Sequence, residues 1–181
     1  MQFRSLTLPL ALLLVPALMR CGGSDSSSST TEAASSSDAS QSEPSGTVDQ
    51  TVTLQRRGNQ MKYRQTNFTV APGQTIKLVF ENTATSPSIQ HNVVILTSND
   101  EALFREVGEA GTRAGSTNDY VPQEGPLREQ VLAYTPMSQP GETVEVTFTA
   151  PEETGEHGYV CNFPGHWATM QGTMHVKKAS A

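Results

Sequence analysis

The sequence predicts an all-β fold, a two-layer β-sandwich of seven or eight strands with one short helix inserted. Three features carry this. Short runs of alternating apolar and polar residues recur, each bounded by turn residues, the pattern of strands with one face buried. Two segments, "APGQTIKLVF" and "QPGETVEVTF", repeat a Pro-Gly turn followed by an alternating strand. Only one stretch has its apolar residues at helical spacing.

In chain order the candidate strands are "TVTLQ" (51–55), "NFTVAPGQTIKLVFENT" (67–83), "HNVVILT" (91–97), "EQVLAYTP" (129–136), "ETVEVTFTA" (142–150), "GEHGYVCNF" (155–163) and "GTMHVKK" (172–178). Pro72-Gly73 and Pro140-Gly141 suit tight turns in which glycine accepts a positive φ. Val144, Val146 and Phe148 point to one side of their strand and leave Glu145 and Thr147 to solvent. Such alternation fits two sheets face to face. The helix is predicted from Ser98, which with Glu101 resembles a capping box, through Leu103, Phe104, Val107 and Ala110 to Gly111. Its apolar stripe is expected to pack as core, as a flap across the sandwich edge.

The domain is preceded by two segments of different composition. Arg4 and the apolar run Leu6 to Met19 read as an export signal, too short for a membrane span. Cys21, closing residues 1–21, resembles the acylation cysteine of a bacterial lipoprotein, with Leu18 at the expected place and Arg20 departing from the usual small residue. A lipid there would tether the protein to the outer side of a membrane. Residues 22–46 contain no aromatic residue, Val, Leu or Ile, and read as a flexible Ser-rich linker. Residues 47–181 remain as one domain, expected to be exported and monomeric.

Composition narrows the function. Of the 12 Lys and Arg only Arg4 and Arg20 precede residue 47, whereas of the 18 Asp and Glu only Asp25, Glu32, Asp38 and Glu43 do. The domain is therefore mildly acidic with no basic cluster, which argues against a nucleic-acid partner. Cys161 is the only cysteine outside the leader, and a bridge to Cys21 would tie the core to nothing structured.

The chemistry concentrates in "YVCNFPGHWATM", where Cys161, His166 and Met170 lie within ten residues around Pro164-Gly165. A thiol, an imidazole and a thioether are soft or borderline metal ligands. A further ligand is needed, and His91, at the start of an apolar strand, is the preferred candidate over His157 and His175, which read as surface or packing histidines. Two imidazoles and a thiolate in a trigonal plane with a weak axial thioether describe a blue-copper electron-transfer site. Zinc would accept Cys and His but has little use for the thioether. Met61, Met137 and Met174 read as core filler or turn packing.

"YVCNFPGHWATM" with "QGTMHV", "QHNVVIL", "DYVP", "VLAYTP" and "PGETVEVTFTAPEETGEHGY" resembles the cupredoxins of the azurin and auracyanin group, the auracyanins more closely. The likeness spans nearly all of residues 50–178. It implies a Greek-key β-sandwich of eight strands that holds one copper at one end and passes single electrons outside the cell membrane, as a carrier and not an enzyme. Carried over residue by residue, His91, Cys161 and His166 would be equatorial ligands and Met170 the axial one. Asn92 would brace the two ligand loops. Gln90 stands where azurins have glycine, and Asn162 where they usually have threonine. Redox proteins are expected to dock near His166 and Trp167, on an apolar patch with Phe163 and Pro164. A copper storage or delivery protein is the competing reading.

Overall fold

The computed structural model describes residues 47–86 and 89–178. The leader, Cys21 and the linker to residue 46 lie outside the described residues. Eight strands form two sheets: β1 (Gln50–Gln55), β2 (Asn67–Val70), β3 (Thr75–Glu81), β4 (Val94–Leu96), β5 (Val131–Tyr134), β6 (Thr143–Thr149), β7 (Gly155–Val160) and β8 (Gln171–Val176). The first sheet runs β1-β3-β6 and the second β2-β8-β7-β4-β5. The chain changes sheet at every connection except β4 to β5 and β7 to β8, so the layers are laced together. The long candidate 67–83 divides into β2 and β3 because Gly73 takes φ 69 in the expected turn.

Period-two alternation builds the core. Ile76, Leu78 and Phe80 of β3 are fully buried and stand opposite Phe148, Val146 and Val144 of β6 on one side and Gln50, Val52 and Leu54 of β1 on the other. The facing sheet contributes Val70, Ile95, Ala133, Tyr159, Met174 and Val176 to the same cluster. Each such side chain contributes about 1.5–3 kcal/mol on burial. Cys161, two residues after Tyr159, keeps its inward direction past the end of β7, while Val160 between them points to the other face.

That outer face is covered by α1 (Glu101–Ala114). Phe104 and Val107 pack on Val94 and Leu96 of β4, Val131 and Tyr134 of β5, and Val160. The helix thus lies across a sheet face and not at the sandwich edge as expected, and β4 is buried on both sides. Its cap also differs from expectation: Asp100, not Ser98, accepts the N–H of Ala102 at 2.8 Å. Ser98 is engaged elsewhere, its carbonyl accepting the N–H of Gly158 at 3.0 Å and extending the sheet. The helix runs past Gly111 to Ala114 and stops where Gly115 takes φ 79. A single helical turn, α2 (Pro126–Glu129), leads into β5. Met174 is core as expected, whereas Met61 is 47% exposed in the turn after β1. Among the described residues no helix is long and apolar enough to cross a membrane.

Candidate metal centre

Two segments from distant parts of the sequence, one at His91 and one from Cys161 to Met170, meet at one end of the sandwich. His91 precedes β4 and is pinned to the β5–β6 connection: its N–H donates to the Ser138 carbonyl at 3.2 Å, and its own carbonyl accepts the N–H and Oγ of Ser138 at 2.8 and 2.7 Å. Cys161 arrives from β7. His166 opens a short helical turn after Gly165, and the loop is closed by the N–H of Met170 on the His166 carbonyl (2.8 Å) and the N–H of Cys161 on the Met170 carbonyl (3.0 Å). The Met170 side chain is fully buried in the same apolar cluster as Cys161.

The result is a triangle of donor atoms. Cys161 Sγ lies 3.5 Å from His91 Nδ1 and 3.6 Å from His166 Nδ1, and the two nitrogens are 3.2 Å apart. A point equidistant from these three atoms is roughly 2 Å from each, the length of metal–ligand bonds to nitrogen and sulfur. Among the described residues this is the one group of three or more His, Cys, Asp or Glu side chains that could share a cation. His157 and His175 stay apart from it on β7 and β8: His157 stands opposite Met174, and His175 lies 3.3 Å from Glu156.

Electrostatics favours a soft cation over protons. Burial pushes the Cys161 thiol up to about 12, opposed by hydrogen bonds from the backbone of Asn92 and Phe163 and by the charge of Arg56. His91 is driven down to about 3 by burial, then by His166 and Arg56, and His166 is lowered by burial and Arg56. The cluster thus offers neutral imidazoles and a thiol that a bound transition metal would deprotonate. Donor types, spacing and burial all fit a thiophilic first-row metal.

The ligand loops are held by a brace at Asn92, which the resemblance implied, and by further bonds the sequence did not reveal. Asn92 Oδ1 accepts the backbone N–H of Asn162 at 2.9 Å, joining the residues that follow His91 and Cys161. Asn92 Nδ2 donates to the Asp119 carbonyl (2.8 Å), Asn162 Nδ2 to the Tyr120 carbonyl (3.0 Å), and Tyr63 Oη to the Asn92 carbonyl (2.7 Å). Thus the asparagine in place of threonine at 162 gives its backbone to Asn92 and its side chain to a third segment. Asp119 and Tyr120 take φ 52 and 54, a left-handed pair that costs about 1–2 kcal/mol per residue. A methyl group at Gly111 would strike the Tyr120 carbonyl, so α1 lies directly against this strut. "DYVP" entered the sequence reading only as part of a resemblance; nothing in its spacing announces a brace.

Surface access is uneven. His91 and Cys161 have no exposure, whereas His166 keeps 8% beside exposed Pro164 and Gly165 and half-buried Phe163, whose ring centroid is 4.7 Å from its own. Trp167 turns away: its ring lies on Gly108 of α1 and joins the outer apolar cluster.

Comparison with known proteins agrees with this geometry. Residues 50–177 match the family described as copper binding proteins, plastocyanin/azurin family. Auracyanin-A from Chloroflexus aurantiacus is 34% identical over 132 residues, 73% of this chain and 77% of its own length. An azurin from Alcaligenes faecalis is 36% identical over 104 residues, 56% of this chain and 77% of its own. The solved structure of reduced auracyanin from Roseiflexus castenholzii superposes with a TM-score of 0.63 at 36% identity, covering 70% of this chain and 96% of that one.

Proposed function

Because the chain belongs to the plastocyanin/azurin family of copper-binding proteins, a family of electron carriers, we propose that it shuttles single electrons between redox proteins outside the cytoplasmic membrane. The protein binds one copper, and the observation that carries the ligand assignment is the triangle of Cys161, His91 and His166. Met170, buried with Cys161 and tied to its backbone, would hold the copper as a fourth, weaker thioether donor. Copper supplies the one-electron couple; the chain supplies a cage that does not rearrange between the two oxidation states. That rigidity comes from β7, the Ser138 contacts of His91 and the Asn92–Asn162 bond, which fix the donors before metal arrives.

Partners dock on the face around His166, the one member of the triangle with an edge at the surface. Phe163, Pro164 and Gly165 surround it and give a partner apolar ground close to the centre. Trp167 supports that face from behind through α1. Location follows from the leader: the apolar run 6–19 directs export, and Cys21 with the linker 22–46 tethers the domain to a membrane. Labelling cells with a fatty acid and following the protein through fractionation tests the tether, since Cys21→Ser should release it.

The carrier reading is tested by a redox titration of the copper-loaded protein. It predicts one electron per copper, full reversibility and no loss of metal to a mild chelator over repeated cycles. Rapid copper loss would instead identify a delivery protein, and a stoichiometry near two coppers per chain would point to an enzyme.

A further inference from the structure

Arg56 is buried without exposure at the same end of the sandwich as the metal centre. It follows β1 and is stitched to the end of β3: its N–H donates to the Glu81 carbonyl at 3.3 Å, and its carbonyl accepts Thr83 Oγ1 at 3.0 Å. The intervening Asn82 donates from Nδ2 to the carbonyls of Ile89 (3.2 Å) and Ser138 (3.1 Å), one just before His91 and the other bonded to it. Tyr63, bridged to Arg56 across the turn, reaches the Asn92 carbonyl. Among the described residues the guanidinium bonds only to Asn59 Oδ1, 3.5 Å from Nη1, and Nε and Nη2 have no partner. Neither ion pair among the described residues includes it.

Such a group is unusual on physical grounds, because a buried cation without a carboxylate is unfavourable. Arginine nevertheless stays protonated. Through Asn82 and Tyr63 its segment is tied to the residues on both sides of His91, so the charge lies against the metal centre in a water-poor interior that screens it weakly. We infer that Arg56 sets the reduction potential of the bound copper, raising it by disfavouring the oxidised form. With one thiolate and two neutral imidazoles, the centre carries one net positive charge as Cu(II) and none as Cu(I). A fixed neighbouring cation therefore destabilises the oxidised state more. The electron comes from a redox partner, no bond at Arg56 forms or breaks, and the guanidinium keeps its proton.

The inference rests on copper occupying the triangle, and its test separates the two. Spectroelectrochemistry on copper-loaded protein should show Arg56→Gln shifting the couple toward Cu(II) by at least tenfold, about 59 mV for one electron, with the visible band retained. Competition titrations should find Cu(II) affinity rising more than Cu(I) affinity. Arg57→Gln makes the same change in net charge at an exposed neighbour and should shift the couple less than twofold. Asn59→Asp sets a carboxylate against Nη1, neutralises the field without removing Arg56, and should lower the potential too; it carries the test if Arg56→Gln does not fold. Arg56→Lys should stay near the parent. An unchanged couple in Arg56→Gln and Asn59→Asp overturns the inference, as does an equal fall in Arg56→Lys. A parent protein without a strong visible band removes the copper reading and the inference together, whereas a strong band with an unmoved couple removes the inference alone.

Discussion

Strand β7 carries histidine or cysteine at both ends, and the two ends behave differently. Near its start, His157 and Glu156 stand opposite Met174 and His175 of β8, and the His175–Glu156 pair lies at 3.3 Å with a largely exposed carboxylate. Just past its other end, Cys161 meets two histidines in a buried triangle. The residue types overlap; the surroundings do not. At the first end two neighbouring strands supply everything, and the period of two sends His157 and the His175–Glu156 pair to opposite faces of the sheet. At the second, β7, the segment before β4 and the loop to Met170 converge from different directions, and only such convergence closes a cage around an ion.

Substitutions sharpen this contrast. The largest effect is expected at the triangle: His91→Ala should weaken Cu(II) binding by more than about 100-fold, beyond what outer partners of a metal site contribute. Isothermal titration or chelator competition measures it. The brace comes next. Asn92→Ala removes the link between the two ligand loops and its bond to the strained Asp119–Tyr120 segment, and should weaken copper by about 10–100-fold. An affinity equal to the parent's would show that the loops hold themselves.

The metal-free protein provides a third, pH-dependent comparison. In the unfolded chain His91 and His166 take up protons below about 6.5, whereas folded His91 resists protonation down to about 3. The unfolded state then binds more protons, so stability should fall as pH drops from 6.5 toward 3. At the alkaline side the unfolded chain loses the Cys161 proton above its ordinary 9.0, while the folded thiol holds it to about 12, so stability should fall again as pH rises from 9 toward 12. Urea unfolding across this range should give a plateau between two declines. Copper, which displaces the Cys161 proton in the folded state, should raise stability, remove the alkaline decline and steepen the acid one. Stability that climbed steadily into acid would contradict the burial of neutral histidines.

The smallest effect belongs to the other end of β7. His157→Ala and His175→Ala should leave copper affinity within about threefold, and stability within about 0.5 kcal/mol for the more exposed His175–Glu156 pair. A large loss of copper in either would break the comparison and the ligand assignment with it.

Much of this was legible in the sequence because it rests on local rules. Short turn-bounded runs located the strands, with β2 and β3 read as one run and β4 apolar throughout, and alternation explains why Cys161 points inward. The spacing of Cys161 and His166 and the position of His91 marked the three donors that the fold brings together. What stayed hidden depends on tertiary contacts. The helix start moved to Asp100 because the Ser98 carbonyl is drawn into the sheet, and the helix covers a face because β4 presents Val94 and Leu96 outward. The packing of Trp167 against Gly108 is a tertiary contact of the same kind. Asp119, Tyr120 and Arg56 gave no signal at all, since a backbone carbonyl used as a brace and a charge buried without a partner follow no sequence pattern.

The most direct test of the central claim is the visible absorption of the purified protein loaded with Cu(II), compared with Cys161→Ser. A buried thiolate bound to copper between two imidazoles predicts an intense sulfur-to-copper charge-transfer band at one copper per chain, lost in Cys161→Ser while the β-sheet circular dichroism is kept. A weak band in the parent, or a strong one that survives the substitution, would contradict the account.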